Sequence, residues 1–446
     1  MKIRKIIKKG AVRLPVVKGL YLENTSLNEQ VSRQKQYIKD LHDHRDRLKA
    51  DLARRSDPKA SMAYQFAQNP NFQITQDDIE ESIKTTKKIA GKIKTANWFL
   101  PDVQHISFGG FYTIFRVIEK MSIEGVENRL IIYGFNEINQ EQLDTDIQNN
   151  FPKLTNYKVI TRKLGEDEVD TLPACDIAVS TLWNSAYLLL RFNKTKQKFY
   201  FIQDYEPLFY PAGTISALAE STYRFGFKAI ANTHALLNIL NRDFGIKGVS
   251  FDPGIDDSYF NAHQKKAGKG DRVRIFFYAR PNKPRNGFEL GVEVIKQLTE
   301  AYKDKIEVIA AGSDWNEADY GLAGKVTNLG LLGSVKEVAD VYATCDIGLT
   351  FMFTKHPSYQ PLEFMAAGVA TVVNRNEHNL WVLEDGNNCV ISEPSPRAMA
   401  QAVSELIEDP DLRGRIRQNG SKYVKGMLWQ PKIDKLWDDI NKEVRQ

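Results

Sequence analysis

The sequence predicts an α/β protein: two doubly wound domains facing a cleft, preceded by a helical extension. Three observations predict it. From about residue 96 onward, short apolar runs alternate with amphipathic segments of helical length, and such alternation builds mostly parallel sheets covered by helices on both faces. A polar stretch, His263 to Asp271, interrupts the alternation and divides it into two cycles. The length of 446 residues is enough for two or three cores.

Residues 1–95 read as a basic and helical extension. Lys2, Arg4, Lys5, Lys8, Lys9, Arg13 and Lys18 fall within the first twenty residues, which hold no acid. Ile3, Ile6 and Ile7 lie on one helical side, so this start suits an anionic membrane surface; a solvated tail is the plainer reading. Nucleic acid fits less well, because no aromatic residues interleave the cations. Asn28 to Ser56 is charged and helix-prone, and Asp57-Pro58 breaks it. Thr75-Gln76-Asp77-Asp78 caps a further helix, expected to reach about Ala90.

Residues 96–265 form the first α/β domain. Its expected strands are Asn97–Pro101, Arg129–Tyr133, Tyr157–Ile160, Asp176–Ser180, Lys198–Ile202 and Ala229–Ala231. Phe111 to Met121 is an amphipathic helix after the loop His105–Gly110. Residues 266–428 form the second domain, with strands at Arg272–Tyr278, Glu307–Gly312, Thr327–Gly333, Ile347–Phe353, Ala370–Val373 and Asn388–Ile391. Ser395-Pro396 and Asp409-Pro410 each open a helix. Residues 429–446 carry a last helix, whose Ile433, Leu436, Trp437 and Ile440 suit packing back on the first domain.

Composition excludes several classes. Hydrophobic residues make up 42% and charged residues 26%, with a net charge of +5, which is ordinary for a globular chain. No apolar run approaches bilayer-spanning length, and no signal-peptide pattern opens the chain. Cys175, Cys345 and Cys389 are far apart and lack metal or redox spacing. A cytoplasmic protein with reduced cysteines is expected, peripheral at most on the inner face of the cytoplasmic membrane.

Ligands of doubly wound sheets sit beyond the C-terminal strand ends, so the chemistry is sought there. His356-Pro357-Ser358-Tyr359-Gln360-Pro361-Leu362-Glu363 follows an apolar strand. Pro361 suits the first helical position, Gly368 a stop, and the amides of Ser358, Tyr359 and Gln360 an anion site. Glu363 then suits sugar hydroxyls better than phosphate; equally, it is an acid favouring the helix dipole. In Tyr278-Ala279-Arg280-Pro281-Asn282-Lys283-Pro284-Arg285, the cations Arg280, Lys283 and Arg285 suit a diphosphate. Asp204, Tyr205 and Glu206 follow an apolar strand at the cleft edge. A carboxylate there can orient or deprotonate an acceptor hydroxyl, or simply cap a loop. Asp144-Thr145-Asp146 has metal-site spacing but lies in a polar helical segment, so no metal site is expected.

These residues resemble the GT-B retaining glycosyltransferases of family four. Tyr278-Ala279-Arg280 with Arg285-Asn286-Gly287, and Pro361-Leu362-Glu363-Phe364-Met365-Ala366-Ala367-Gly368, look like that family's second domain. Phe251-Asp252-Pro253-Gly254-Ile255-Asp256 resembles its interdomain segment, and Gly109-Gly110 its first-domain glycine loop. His356-Pro357-Ser358-Tyr359 and Phe201-Ile202-Gln203-Asp204-Tyr205-Glu206 look like the bacterial S-layer and cell-surface rhamnosyltransferases of the WsaF type. The likeness spans roughly residues 96–430.

The resemblance implies two Rossmann-like domains and a metal-independent transfer of L-rhamnose, with retention, from dTDP-L-rhamnose to a growing cell-surface glycan. The acceptor is an oligosaccharide or a lipid-linked glycan, and no cofactor beyond the donor is needed. It implies Gly110, Arg280, Lys283, Arg285, Ser358, Tyr359, Gln360 and Glu363 at the donor nucleotide, and Asp204, Tyr205, Glu206, Lys355 and His356 at the sugar or acceptor. Asp204, Arg280 and Glu363 are the candidate catalytic residues. The family usually has a second glutamate eight residues before Glu363, and this chain has Lys355. Two other readings stay open: a nucleotide-sugar epimerase of the same architecture, and a non-catalytic scaffold subunit.

Overall fold

The computed structural model describes residues 31, 61–101, 103, 106, 109–134, 139–163, 169–264 and 272–446. The basic start, nearly all of the charged stretch after it, and residues 265–271 of the linker lie outside them. Residues 1–69 form one unit and residues 70–446 another. In the first, α1 (Met62–Gln68) is capped by Ser61, whose hydroxyl accepts the Tyr64 N–H.

The second unit begins with α2 (Gln76–Lys84). Thr75 and Asp78 cap it reciprocally. The helix stops at Lys84, short of the expected Ala90. The Thr85 and Thr86 hydroxyls turn back onto the Ser82 and Ile83 carbonyls. The Lys87 and Ile89 amides bond to the carbonyls of Lys196 and Val444, so these peptide groups have partners outside a helix. Buried Lys198 donates to Ser82 Oγ, to the Leu190 carbonyl and to Asn193 Oδ1, which ties α2 to the first sheet.

The first α/β domain follows in order: β1 (Thr95–Leu100), α3 (Gly109–Ile123), β2 (Glu127–Gly134), α4 (Gln140–Asn150), β3 (Tyr157–Lys163), β4 (Cys175–Ser180), α5 (Trp183–Arg191), β5 (Thr195–Ile202), α6 (Thr214–Ser221), β6 (Lys228–Asn232), α7 (His234–Phe244) and β7 (Gly248–Phe251). All strands are parallel, in the order β3-β2-β1-β4-β5-β6-β7. Strand β7 was not anticipated. It is four residues long and begins at Gly248, where a Cβ would lie 2.1 Å from the Ala229 carbonyl oxygen.

The second domain holds α8 (Asp257–Gln264), β8 (Val273–Tyr278), α9 (Phe288–Tyr302), β9 (Ile306–Ala311), β10 (Val326–Asn328), α10 (Val335–Ala343), β11 (Ile347–Thr350), α11 (Tyr359–Ala366), β12 (Ala370–Asn374), β13 (Val390–Ser392), α12 (Pro396–Glu408) and α13 (Pro410–Val424). Its sheet is also all parallel, ordered β10-β9-β8-β11-β12-β13. Strand β11 ends at Thr350, three residues before the end of its apolar run. The Asn374 side chain bonds both the N–H and the C=O of Met352, and the Phe353 amide bonds the Arg285 carbonyl. The run therefore leaves the sheet to become a braced loop.

The chain passes between the domains twice, side by side. The Ile255 amide bonds the Met427 carbonyl at 2.7 Å, and Ile255 bridges Leu428 in parallel. Gly254 permits the approach: a Cβ there would meet Trp429 at 2.6 Å. The final helix α14 (Trp429–Glu443) buries Trp429, Ile433, Leu436 and Ile440 in the first domain's core, with Trp98, Phe115 and Phe201. That spacing is one helical stripe.

In each sheet the strand order reverses at one place, between β1 and β4 and between β8 and β11. Such reversals open a crevice at the C-terminal strand ends. In the second domain the loops there are 279–287 and 351–358, the two carrying most of the residues singled out by sequence.

Candidate functional site

The loop after β8 is short and hydrogen-bonded within itself. The Lys283 amide bonds the Arg280 carbonyl, and the Asn286 amide the Lys283 carbonyl. The Arg280 stem lies against Gly312, where a Cβ would come 2.9 Å from Arg280 Cγ. Its Nη1 donates to Tyr278 Oη at 3.0 Å, while its buried Nε has no acceptor among the described residues. Lys283 is exposed, yet its ammonium is held below the ordinary lysine value, by partial desolvation first and then by Arg280 and Arg285. Among the described residues no carboxylate pairs with Arg280 or Lys283.

Arg285 faces the other domain. Its guanidinium lies 4.3 Å from the Phe209 ring centroid, and its Nε is 4.0 Å from Asp204 Oδ2. Asp204 is buried, and its Oδ1 accepts its neighbour Tyr205's N–H at 2.7 Å. Burial pushes the Asp204 carboxyl up to about 6, against the pull of Arg285. Lys355 crosses in the same direction. Its Nζ sits 3.9 Å from the Tyr205 ring centroid and 4.0 Å from Asp243 Oδ2.

Glu206 does not face the cleft, contrary to expectation. It is 2% exposed, and its Oε2 accepts the Trp183 N–H and the Tyr200 hydroxyl, both at 2.7 Å. It caps α5, and burial pushes it up to about 8. Asp144 and Asp146 likewise serve the scaffold, accepting the Tyr157 hydroxyl and the Gln142 amide.

Helix α11 starts two residues earlier than expected. Ser358 is its N-cap, and Pro361 is the third helical residue rather than the first. The Gln360 amide bonds Ser358 Oγ at 3.3 Å, and the Gln360 side chain turns inward to the Thr350 hydroxyl at 2.6 Å. Pro361 has no N–H and the cap engages the Gln360 amide, so the amides of Ser358 and Tyr359 are the ones left at that end. This end is a poorer anion site than the sequence suggested. The Tyr359 side chain is also committed elsewhere. Its hydroxyl bonds the Asn232 amide group, and its ring stacks on Trp429 at 5.7 Å. The side chains of Tyr359 and Gln360 thus serve the packing of the loop, and the expected anion site at this end rests on backbone amides alone.

Glu363 stands in the second turn of α11, not the first. Burial pushes its carboxyl up to about 7, partly offset by the Tyr259 hydroxyl, with the Asp256 charge adding to the rise. Asp256 itself is held below the ordinary range. Burial opposes this, but Ser258, Arg116 and Tyr112 outweigh it. Arg116 pairs with Asp256 at 2.5 Å and lies over the Tyr112 and Trp429 rings. His356 is 5% exposed, and its Nε2 has no hydrogen-bond partner among the described residues. Burial, then Arg285, push it down to about 3, so it is neutral at physiological pH. On the first-domain side, Gly110 opens α3 directly against Gln203, whose Nε2 would lie 2.8 Å from a Cβ.

The structure thus brings Asp204 and Tyr205 together with Arg285 and Lys355, and sets Arg280 and Lys283 beside Arg285 and His356 near it; Gly110 opens α3 against Gln203, and Glu363 lies on α11 by Tyr259 and Asp256. Sequence reasoning missed Phe209, Asn232, Tyr259 and the Asn374–Asn376 pair. Asn376 bonds the Met352 and Thr354 carbonyls and so braces the Lys355–His356 turn. Its position, just past the end of β12, was the available signal. Among the described residues no three His, Cys, Asp or Glu side chains group as a metal site, and no helix is long and apolar enough to cross a membrane.

Two all-parallel doubly wound domains, joined by a double crossing and closed by a C-terminal helix, make this a GT-B fold. Sucrose-phosphate synthase from Thermosynechococcus elongatus shares it, with a TM-score of 0.59 at 12% identity, over 79% of this chain and 99% of that one. Anabaena Alr3699/HepE in complex with UDP gives a TM-score of 0.59 at 15% identity, over 79% and 99%. WaaG, a glycosyltransferase involved in lipopolysaccharide biosynthesis, gives 0.56 at 14%, over 78% and 99%. At such identities the likeness is one of fold.

The chain belongs to the WsaF family: the WsaF N-terminal domain matches residues 96–235 and the WsaF C-terminal domain residues 273–404. The O-antigen biosynthesis protein RfbC of Myxococcus xanthus is 39% identical over 347 residues, covering 78% of this chain. The chain spans about a quarter of that relative's length, 27%.

Proposed function

We propose that the chain is a glycosyltransferase that builds a cell-surface glycan from a nucleotide sugar. The observation that carries this reading is the switch point of the second sheet. There Arg280 and Lys283 form a cation cluster with no carboxylate partner among the described residues, and Glu363 stands on the adjoining helix. Cations of this kind suit a diphosphate, and a carboxylate suits ribose hydroxyls. The UDP named with HepE and the O-antigen role named for RfbC support the same class.

The finer reading is dTDP-L-rhamnose as donor, transfer with retention and no metal requirement, as the resemblance implies. Arg280, Lys283 and Arg285 supply positive charge at the diphosphate. Asp204 and His356 face the sugar and acceptor side, and neutral His356 offers an unengaged ring nitrogen there. Residues 1–20 are proposed to contact an anionic membrane surface, which suits an oligosaccharide or lipid-linked acceptor.

Incubation with dTDP-β-L-rhamnose and a glycan acceptor, with EDTA present, is expected to yield a β-linked rhamnoside by NMR. An α linkage would refute retention. Product that forms only after Mg²⁺ or Mn²⁺ is added would refute metal independence, and transfer from another nucleotide sugar alone would refute the donor.

A further inference from the structure

Arg285 occupies a position between two electrostatic partners. On one side lie Asp204 at 4.0 Å and the Phe209 face at 4.3 Å, both from the first domain. On the other lie Arg280 and Lys283, close enough that both arginines depress the Lys283 ammonium. The Asp204 contact is at the outer limit of an ion pair, longer than the 2.5 Å pair between Arg116 and Asp256. A loose pair is cheap to break, and a polyanion beside three cations would gain by drawing the third inward.

We propose that Arg285 exchanges partners: Asp204 and Phe209 form one seat for its guanidinium, and a diphosphate bound beside Arg280 and Lys283 forms the second. The proposal rests on the nucleotide-sugar reading and goes beyond it. Occupation of the donor site takes the counter-cation away from Asp204, and the carboxyl group is then free to hydrogen-bond an acceptor hydroxyl and position it. Donor therefore binds before acceptor, and Asp204 takes up a proton from solvent as Arg285 leaves.

The groups facing Asp204 are consistent with this. On its own turn lie Tyr205, whose amide it accepts, and Glu206, which is turned away onto Trp183 and Tyr200. Tyr223 lies on the same side, with its hydroxyl on the Glu206 amide. From the second domain come Arg285 and the Thr354 hydroxyl, and neutral His356 stands beside the guanidinium. Arg285 is the cation that acts on the Asp204 carboxyl, whereas Lys355, from the loop that also carries Thr354, lies over the Tyr205 ring and beside Asp243. Loss of a nearby cation and approach of an anion both raise a carboxyl group's affinity for protons.

The test is calorimetry of dTDP binding to the full chain near pH 7, in buffers of different ionisation enthalpy, with UDP and thymidine as comparison probes. The wild type is expected to take up on the order of half a proton more per dTDP bound than Asp204→Asn does. Asp204→Asn should bind dTDP roughly two- to fivefold more tightly, because Arg285 no longer leaves a carboxylate. A structural role for Asp204 alone would not tighten binding. Arg285→Ala supplies a second route should Asp204→Asn fail to fold: it should weaken dTDP, spare thymidine and lose the extra proton. An equal proton count in wild type and either variant would overturn the exchange alone. Failure of the wild type to bind either nucleoside diphosphate would overturn the nucleotide-site reading, and the exchange with it.

Discussion

Arg280→Ala is expected to lower turnover by roughly 10²–10³-fold, the usual cost of removing one donor aimed at developing charge. Arg280 leaves the end of a central strand, its stem held against Gly312 and one guanidinium nitrogen anchored on Tyr278. Among the described residues no carboxylate pairs with the rest of the guanidinium, so its charge is available to a ligand. Charge on a departing nucleoside diphosphate grows in the transition state, so the loss falls on turnover more than on substrate binding. Calorimetry supplies the second readout. The variant should bind dTDP more weakly and thymidine as before, since thymidine has no phosphate. Equal losses for both would mean that Arg280 supports the fold of the loop rather than the phosphates.

Glu363→Gln should act on the other half of the nucleotide. The substitution keeps the shape and removes the charge. Hydrogen bonds to a charged group contribute about 1.5–3 kcal/mol, so affinity for thymidine and dTDP alike should fall by roughly one to two powers of ten. The pH dependence gives a sharper signature. The carboxyl is raised to about 7 by burial, so it is ionised above that value and protonated below it. Wild-type affinity for thymidine should be full above neutrality and decline as pH falls through 7. Glu363→Gln should show no such decline. If thymidine binding ignores Glu363 at every pH, the residue returns to being a half-buried acid held by Tyr259.

Much of this site was legible before the fold was known, because strand ends can be read from apolar runs followed by polar loops. The strand-end positions of Arg280 and Lys283 were expected in that way, and so were the caps at Thr75, Ser395 and Asp409, whereas Glu363 was expected one turn too early. What was not legible is where side chains turn once domains meet. Asp204 and Glu206 are two apart in one polar run, yet one faces Arg285 and the other caps α5. The sequence offers no period that separates them. The amides before Glu363 read as an open helix end, but the cap fell on Ser358 and moved Pro361 inward. Tyr359 and Lys355 looked like ligand contacts, and both reach across to the first domain, to Asn232 and Tyr205. Contacts between residues more than a hundred positions apart depend on the packing of two finished domains. Strand β7 was missed for a related reason: four residues carry too little pattern to be read alone.

Group transfer from a nucleotide sugar is read out by release of the nucleotide. The purified chain, given dTDP-L-rhamnose, should release dTDP only when a glycan acceptor is added, one dTDP for each sugar transferred. Conversion of the donor without any acceptor would contradict transfer and point to an epimerase. No release under any acceptor, from any nucleotide sugar, would contradict catalysis and leave the fold as a scaffold.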